Sequence, residues 1–284
     1  MKSRISETLV RILEDTRREI EEDKGRESLK RMKQMARDGA PVISFASALA
    51  GGKALIAELK ERSPSQGKMR RENVAEAVQA YKRSAAVKAI SVLTSWHNFG
   101  ENMKVTMLEP VKNQTGKPVL RKDFIIEEYQ VFQARAYGAD AILLMANILE
   151  KAEMTRLAEL AFELGMDVLF ETHGPEELEE LPERAKVIGI NSRSFEGSFR
   201  VARFLREWLG AKRDRSVNLE RFQYAKSLPA GVIKVAESGV TAGNCREVFE
   251  LGFEAVLVGT ALLTDVRGVG VALGEVEERL KAKC

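Results

Sequence analysis

From residue 54 onward the chain alternates short, almost continuous apolar runs with stretches whose apolar residues return at helical spacing. The runs are Ala54–Leu59, Val87–Leu93, Pro118–Leu120, Ala139–Met145, Asp167–Phe170, Val187–Ile190, Val232–Ala236 and Ala255–Val258. Each has the length and near-uniform hydrophobicity of a strand buried on both faces. Helical patterns fall between them at Val74–Arg83, Glu127–Tyr137, Lys151–Leu164, Glu176–Glu183 and Asn244–Leu251. Most strand-to-strand spacings are roughly 20–35 residues, as βα units require, and eight units in series predict a closed (β/α)8 TIM barrel. A doubly wound open sheet is the alternative, but it favours a glycine fingerprint after its first strand, and Glu61-Arg-Ser-Pro-Ser-Gln-Gly67 stands there instead. The sixth and seventh runs are the exception in spacing, so an inserted loop or extra helix is expected at 195–219.

Ahead of the first run, residues 3–38 carry Ile5, Leu9, Ile12, Leu13 and Ile20 at helical spacing, then Leu29, Met32 and Met35. These predict one or two amphipathic helices, interrupted at Gly25, packed on the barrel and reaching one edge of its site. The expected layout is one barrel domain over 1–284 with a helical extension at 1–45. Composition alters this picture little. The 284 residues carry 45 Lys and Arg against 42 Asp and Glu, a net charge of +3 with no block of one sign, which argues against nucleic acid as a partner. No apolar run reaches the roughly 18 residues of a membrane span, and the N-terminal residues lack a secretory leader, so the cytoplasm is the expected address and no membrane partner is expected. Two cysteines, Cys245 and Cys284, with two histidines, His97 and His173, offer neither a disulfide framework nor a metal cluster.

Active sites of parallel barrels lie at the carboxyl ends of the strands, and charged residues collect at those positions here. The first run ends in Glu58 and Lys60, two apart and therefore on one face. The third leads to Lys122, the fifth to Glu171, the sixth to Asn191 and Arg193, and the seventh to Glu237 and Ser238. Two lysines and three glutamates in one pocket push each other's pKa values apart, which suits proton transfer at neutral pH. The turns Glu237-Ser-Gly-Val-Thr241 and Val258-Gly-Thr-Ala-Leu262 place small residues after strands seven and eight, where barrel enzymes bind phosphate. A phosphorylated small molecule is the expected ligand. His97 and His173 read as loop residues. Phe124, Leu143 and Leu257 are candidate walls for an aromatic group.

The motifs Ala57-Glu-Leu-Lys-Glu-Arg-Ser-Pro-Ser65, Ile90-Ser-Val-Leu-Thr94, Pro118-Val-Leu-Arg-Lys-Asp-Phe-Ile-Ile126, Gly138-Ala-Asp-Ala-Ile-Leu-Leu144, Ile188-Gly-Ile-Asn-Ser-Arg193 and Ala236-Glu-Ser-Gly239 together resemble the indole-3-glycerol phosphate synthase family. The resemblance covers nearly all of the chain after residue 45. It implies a lyase of tryptophan biosynthesis that closes the indole ring of 1-(2-carboxyphenylamino)-1-deoxyribulose 5-phosphate, releasing carbon dioxide and water, with no metal or organic cofactor. It also implies other enzymes of that pathway as candidate partners. Carried onto this sequence, it makes Lys122 the acid at the ketone and Glu171 the group that stabilises or deprotonates the developing cation. Lys60, held by Glu58, becomes the partner of the substrate carboxylate or the acid of the dehydration. Asn191 and Glu237 hold sugar hydroxyls and a second proton-transfer network, Ser63 and Arg193 border the site, and Ser238, Gly239, Gly259 and Thr260 take the phosphate. The chain departs from the family pattern at Gln66, where lysine is common, at Ser95, where an acid often stands, and in the length of 195–219. Three other readings remain: the sister barrel phosphoribosylanthranilate isomerase, a Schiff-base aldolase using Lys122, and a paralogue that binds the ligand without turnover.

Overall fold

The computed structural model describes residues 7–63, 66–193 and 217–281. Eight parallel strands close into a barrel: β1 (Ala54–Leu59), β2 (Val87–Leu93), β3 (Val119–Lys122), β4 (Ala141–Met145), β5 (Asp167–Thr172), β6 (Val187–Asn191), β7 (Ile233–Glu237) and β8 (Ala255–Val258). Each pairs in parallel with the next, and β8 returns to β1. The sequence places all eight within a few residues. The principal shifts are at the carboxyl ends, where β3 runs on through Arg121 to Lys122 and β5 through Glu171 to Thr172. Polar residues end the expected runs early, yet buried polar residues continue the strands because their side chains meet partners.

Alternation along the strands sorts the core into two layers. Leu55, Ala57, Ile90, Val92, Ile142, Leu144, Ile188, Ile190, Val256 and Val258 face outward against the helices. Ala54, Ile56, Ala89, Leu120, Ala141, Leu143, Val187, Val235, Ala255 and Leu257 face inward and fill the barrel. The surrounding helices include α4 (Arg71–Arg83), α5 (Leu108–Thr115), α6 (Glu128–Ala136), α7 (Lys151–Glu163), α8 (Cys245–Glu250) and α9 (Val269–Lys281). α6 starts later than expected because Glu127 is its N-cap, in a capping box with Gln130. The expected helix at 176–183 is instead a 3-10 helix, Pro175–Glu180; Pro182 cannot donate a backbone bond to prolong it. Of the expected insertion, residues 195–216 lie outside the described residues. Val217 pairs with Arg193 in an isolated bridge, and a 3-10 helix follows at Leu219–Ser227.

The N-terminal extension holds both ends of the barrel. Its first helix, α1 (Glu7–Arg26), runs through Gly25 rather than breaking there, and α2 (Leu29–Asp38) starts after the N-cap Ser28. α2 packs on α6. α3 (Phe45–Leu49) buries Phe45 and Leu49 in the inner core at the amino ends of the strands, where Asp167, at the start of β5, accepts bonds from Ser44 Oγ and Ala46 N. Asp140 adds a buried anchor. It accepts Ile43 N at 2.7 Å, Val119 N at 2.8 Å and Lys112 Nζ at 2.7 Å, joining the linker before α3 to β3 and α5.

At the opposite end α1 is tied down by Glu19. Its Oε1 accepts His97 N and lies 2.8 Å from His97 Nδ1, and Ser95 Oγ donates to it at 3.2 Å. His97, expected in a loop, lies instead on the one-turn helix Trp96–Phe99, and its contact with Glu19 is a structural one. Burial, then the charge of Asp123, pushes the Glu19 carboxyl up to about 7, against the hydrogen bonds from His97. Because the folded value lies above the ordinary carboxylate value, protonated Glu19 adds stability at low pH that is lost as pH rises through about 7. We expect wild-type stability, measured by urea unfolding, to fall relative to Glu19→Gln between about pH 5 and about pH 8. Parallel pH curves for the two proteins would refute this account of Glu19.

Candidate active site

The last inward position of most strands is polar. Ile56 is followed on its face by Glu58 and then Lys60; Leu120 by Lys122; Leu169 by Glu171; Val187 and Gly189 by Asn191; Val235 by Glu237. Strand pairing sets these groups at similar heights, with Asn191 opposite Glu237, Met145 opposite Glu171 and Leu93 opposite Lys122. They line a cavity of about 890 Å³ at the carboxyl ends of the strands. Every site residue that the sequence pointed to lines it: Glu58, Lys60, Ser63, Lys122, Phe124, Glu171, Asn191, Arg193, Glu237, Ser238, Gly239, Leu257, Gly259 and Thr260, with Leu143.

Two ion-pair systems share this floor. Lys60 Nζ donates to Glu58 Oε1, and both are buried. Lys122 Nζ stands 3.6 Å from Glu171 Oε2 and 3.7 Å from Glu237 Oε2. Burial alone would raise the Glu58 carboxyl, but Lys60, Lys122 and Arg193 outweigh it and hold it below its ordinary value. Burial lowers the Lys60 ammonium and the charges of Arg193 and Lys122 add to that, so it stays below its usual range despite Glu58. For Lys122 burial is outweighed by Glu171, Glu237 and Glu58, which together raise it. Glu237 is pushed well up, by burial first and then by the charge of Glu171, against the pull of Lys122. Neighbouring groups of one kind are therefore driven apart: a lysine held below its usual range beside one held above it.

Close backbone approaches make room for these side chains. A Cβ on Gly189 would collide with Glu237 Oε1, and a Cβ on Gly259 with the Glu58 carboxylate. Gly259 thus accommodates an acid as well as belonging to the β8 turn. After β7, Ser238 and Gly239 are both left-handed, with φ of 66° and 72°. A left-handed serine is strained, and such strain is concentrated at functional turns. Ser192 Oγ donates to Ser238 O at 2.8 Å and steadies the turn. Behind the floor, Tyr81 Oη donates to Glu58 O, while Asn191 Oδ1 accepts Arg193 N.

Several cavity residues are not legible in the sequence. Phe99, on the one-turn helix Trp96–Phe99, stacks on Phe124 with centroids 6.2 Å apart and planes 8° apart. Ile12 of α1, Leu93 and Met145 complete that apolar side. Only Ile12 carries a signal, the stripe that marks α1 as reaching the barrel's edge. His173 stands, as expected, in the loop after β5, and its Nε2 lies 3.5 Å from Glu171 Oε1. Pro64 and Ser65 of the Ser-Pro motif lie outside the described residues. Among the described residues no group of three or more His, Cys, Asp and Glu side chains could hold a metal ion, and no helix is long and apolar enough to cross a membrane. Cys245 is buried within α8, away from the cavity.

A closed parallel barrel carrying paired lysines and glutamates at the carboxyl ends of its strands defines a (β/α)8 enzyme of the acid-base kind. The family model of indole-3-glycerol phosphate synthase matches residues 9–268, and the chain belongs to that family. It is 35% identical over 257 residues to indole-3-glycerol phosphate synthase of Lachnospira eligens, covering 89% of this chain and 90% of that protein. It is 36% identical over 256 residues to the Chlorobium phaeovibrioides synthase, covering 88% and 92%. Among solved structures it is similar to 3-hexulose-6-phosphate synthase from Salmonella typhimurium, with a TM-score of 0.58, 16% identity and coverage of 80% and 98%. Thiamine phosphate pyrophosphorylase from Pyrococcus furiosus gives a TM-score of 0.55, 18% identity and coverage of 81% and 96%. Those two likenesses show the fold alone.

Gly189→Ala tests the close packing of the floor. β6 is extended at this position, so alanine is tolerated by the backbone but displaces the Glu237 carboxylate. We expect kcat to fall by about tenfold or more with the fold retained by circular dichroism. A rate within about twofold of wild type would show that Glu237 does not depend on this contact.

Proposed function

We propose that the chain catalyses the decarboxylating ring closure and dehydration of 1-(2-carboxyphenylamino)-1-deoxyribulose 5-phosphate to indole-3-glycerol phosphate, by general acid-base catalysis on the residues described above. Lys122 between Glu171 and Glu237 is the observation that carries the assignment of roles. Attack of the aromatic carbon on the ketone turns a carbonyl oxygen into an alkoxide, so a cation fixed beside that oxygen stabilises the developing charge and delivers its proton. The raised Lys122 is charged when substrate arrives, and the transfer becomes favourable as the alkoxide forms. Glu171, on the other side of the ammonium, faces the positive charge that grows on the anilino nitrogen. Loss of carbon dioxide then restores the aromatic ring.

Dehydration needs a second acid and a base. Lys60, lowered by burial, parts with a proton more readily than Lys122, and Glu58 holds it in place. It is equally placed to receive the substrate carboxylate in the first step. Glu237, which stays protonated further up the pH scale than an ordinary carboxyl, and Asn191 hold sugar hydroxyls and serve the second proton transfer. Phe124, Leu143 and Leu257, with Phe99 and Ile12, supply the apolar side on which the anilino ring rests. The backbone N–H groups around Ser238, Gly239, Gly259 and Thr260 take the phosphate, while Ser63 and Arg193 border the substrate. Other enzymes of tryptophan biosynthesis are the proposed functional neighbours.

Indole fluorescence on mixing protein with this substrate in a chelating buffer tests the reading directly. Lys122→Ala is expected to abolish turnover while substrate affinity stays within about tenfold, because the acid acts chiefly in the transition state. An unchanged rate would remove Lys122 from its role. Glu171→Gln is expected to lower kcat by about 10²–10⁴, the usual contribution of a positioned acid or base. Full activity in that variant would show that Glu171 is not in the mechanism. Binding without any fluorescence rise in the wild type would favour a ligand-binding paralogue, and borohydride trapping of substrate on Lys122 would favour a Schiff-base reaction.

A further inference from the structure

The Glu171 carboxylate is wholly buried, and two cationic or polar side chains reach it on different oxygens. Lys122 Nζ stands 3.6 Å from Oε2, on the cavity side, and His173 Nε2 stands 3.5 Å from Oε1. His173 follows Glu171 by two residues, just past the end of β5, and its Nε2 is set beside Glu171 Oε1. The other edge of the imidazole is held from outside the barrel. Its Nδ1 lies 3.4 Å from Glu177 Oε2, and the same oxygen accepts the backbone N–H of His173 at 2.8 Å. Glu177 is presented by the 3-10 helix Pro175–Glu180, whose opening proline fixes the turn out of β5. The result is a line of carboxylate, imidazole and carboxylate running from the cavity floor to a side chain that is 18% exposed.

We propose that His173, anchored by Glu177, is a positioning residue for Glu171: it holds Oε1 and leaves Oε2 to Lys122 and the substrate. The proposal deepens the reading above and rests on the role given there to Glu171. A carboxylate beside a fixed ammonium is drawn into a symmetric pair with it, and both oxygens are then committed to the lysine. The contact of Nε2 with Oε1, at 3.5 Å a polar contact rather than a hydrogen bond, opposes that rotation. Imidazole suits the task because it has a polar atom on each of two edges, so one ring faces the acid and its own anchor at once. Asparagine or serine at this position is too short to span the two carboxylates.

The test is a double-mutant cycle in kcat and KM with His173→Ala, His173→Gln and Glu171→Gln, and thermal midpoints taken alongside. If His173 works through Glu171, His173→Ala lowers kcat by about 10- to 100-fold, as expected for slight misplacement of a reacting group, with KM within about threefold. His173→Gln, which keeps an N–H donor on its side chain, recovers at least about threefold of that loss. In the Glu171→Gln background the His173→Ala change costs less than about twofold further. Losses that multiply across the two backgrounds, an effect on KM alone, or a kcat unchanged in His173→Ala would overturn the proposal. Full activity in Glu171→Gln would instead overturn the role of Glu171 and this inference with it; an impaired Glu171→Gln beside an unimpaired His173→Ala would overturn the inference alone. Should His173→Ala fail to fold, Glu177→Gln decides. There a lower kcat at constant KM supports the positioning line, and wild-type kcat overturns it.

Discussion

Lys122 is wedged between two buried carboxylates, and most of what surrounds the cavity follows from keeping that arrangement charged inside a protein. Removing ions from water costs several kcal/mol each unless partners and hydrogen bonds compensate. The barrel meets this cost by grouping: Lys60 with Glu58, Lys122 with Glu171 and Glu237. At Glu237 burial and the neighbouring charge of Glu171 outweigh the pull of Lys122, and the carboxyl is pushed toward its protonated form. The same crowding that complicates the folded state separates the proton affinities that acid-base chemistry uses. Glycines at 189 and 259 give the carboxylates space that any side chain would remove.

Support for this floor comes from groups that do not touch the cavity's centre. Arg121 points outward from β3, between Lys122 and Leu120, and binds Asp123, Thr94 Oγ1, Gln130 O and Gln133 Oε1. It therefore fixes the backbone on the strand that presents the lysine, as Tyr81 does for Glu58. Period-two alternation makes this division possible, since neighbours on one strand serve the site and its scaffold in turn.

The strands are legible in the sequence because burial on both faces leaves uninterrupted apolar runs, and the polar residues that end those runs mark the site. Less legible are elements whose sequence argues against their conformation. α9 contains Gly270 and Gly274, and α5 contains Pro110 near its start, so helical periodicity there is faint. α1 continues through Gly25, where tertiary packing of the apolar stripe outweighs a propensity cost of about 1 kcal/mol. At the site, Glu58, Lys122, Glu171 and Glu237 are readable from strand phase alone. Phe99 is not, because its place depends on how a loop folds back over Phe124, and His173 escapes because spacing does not show its neighbour.

The segment before β1 belongs to none of the eight βα units, yet it both plugs the floor of the barrel through Phe45 and Leu49 and contributes Ile12 to the cavity's apolar side. The repeated units thus carry the acidic and basic side chains of the cavity, while part of its apolar surface is encoded outside them. A hybrid made by exchanging half-barrels between related enzymes would inherit its acids and bases with the exchanged strands, but its fit for an aryl group would travel separately, with the leading helix.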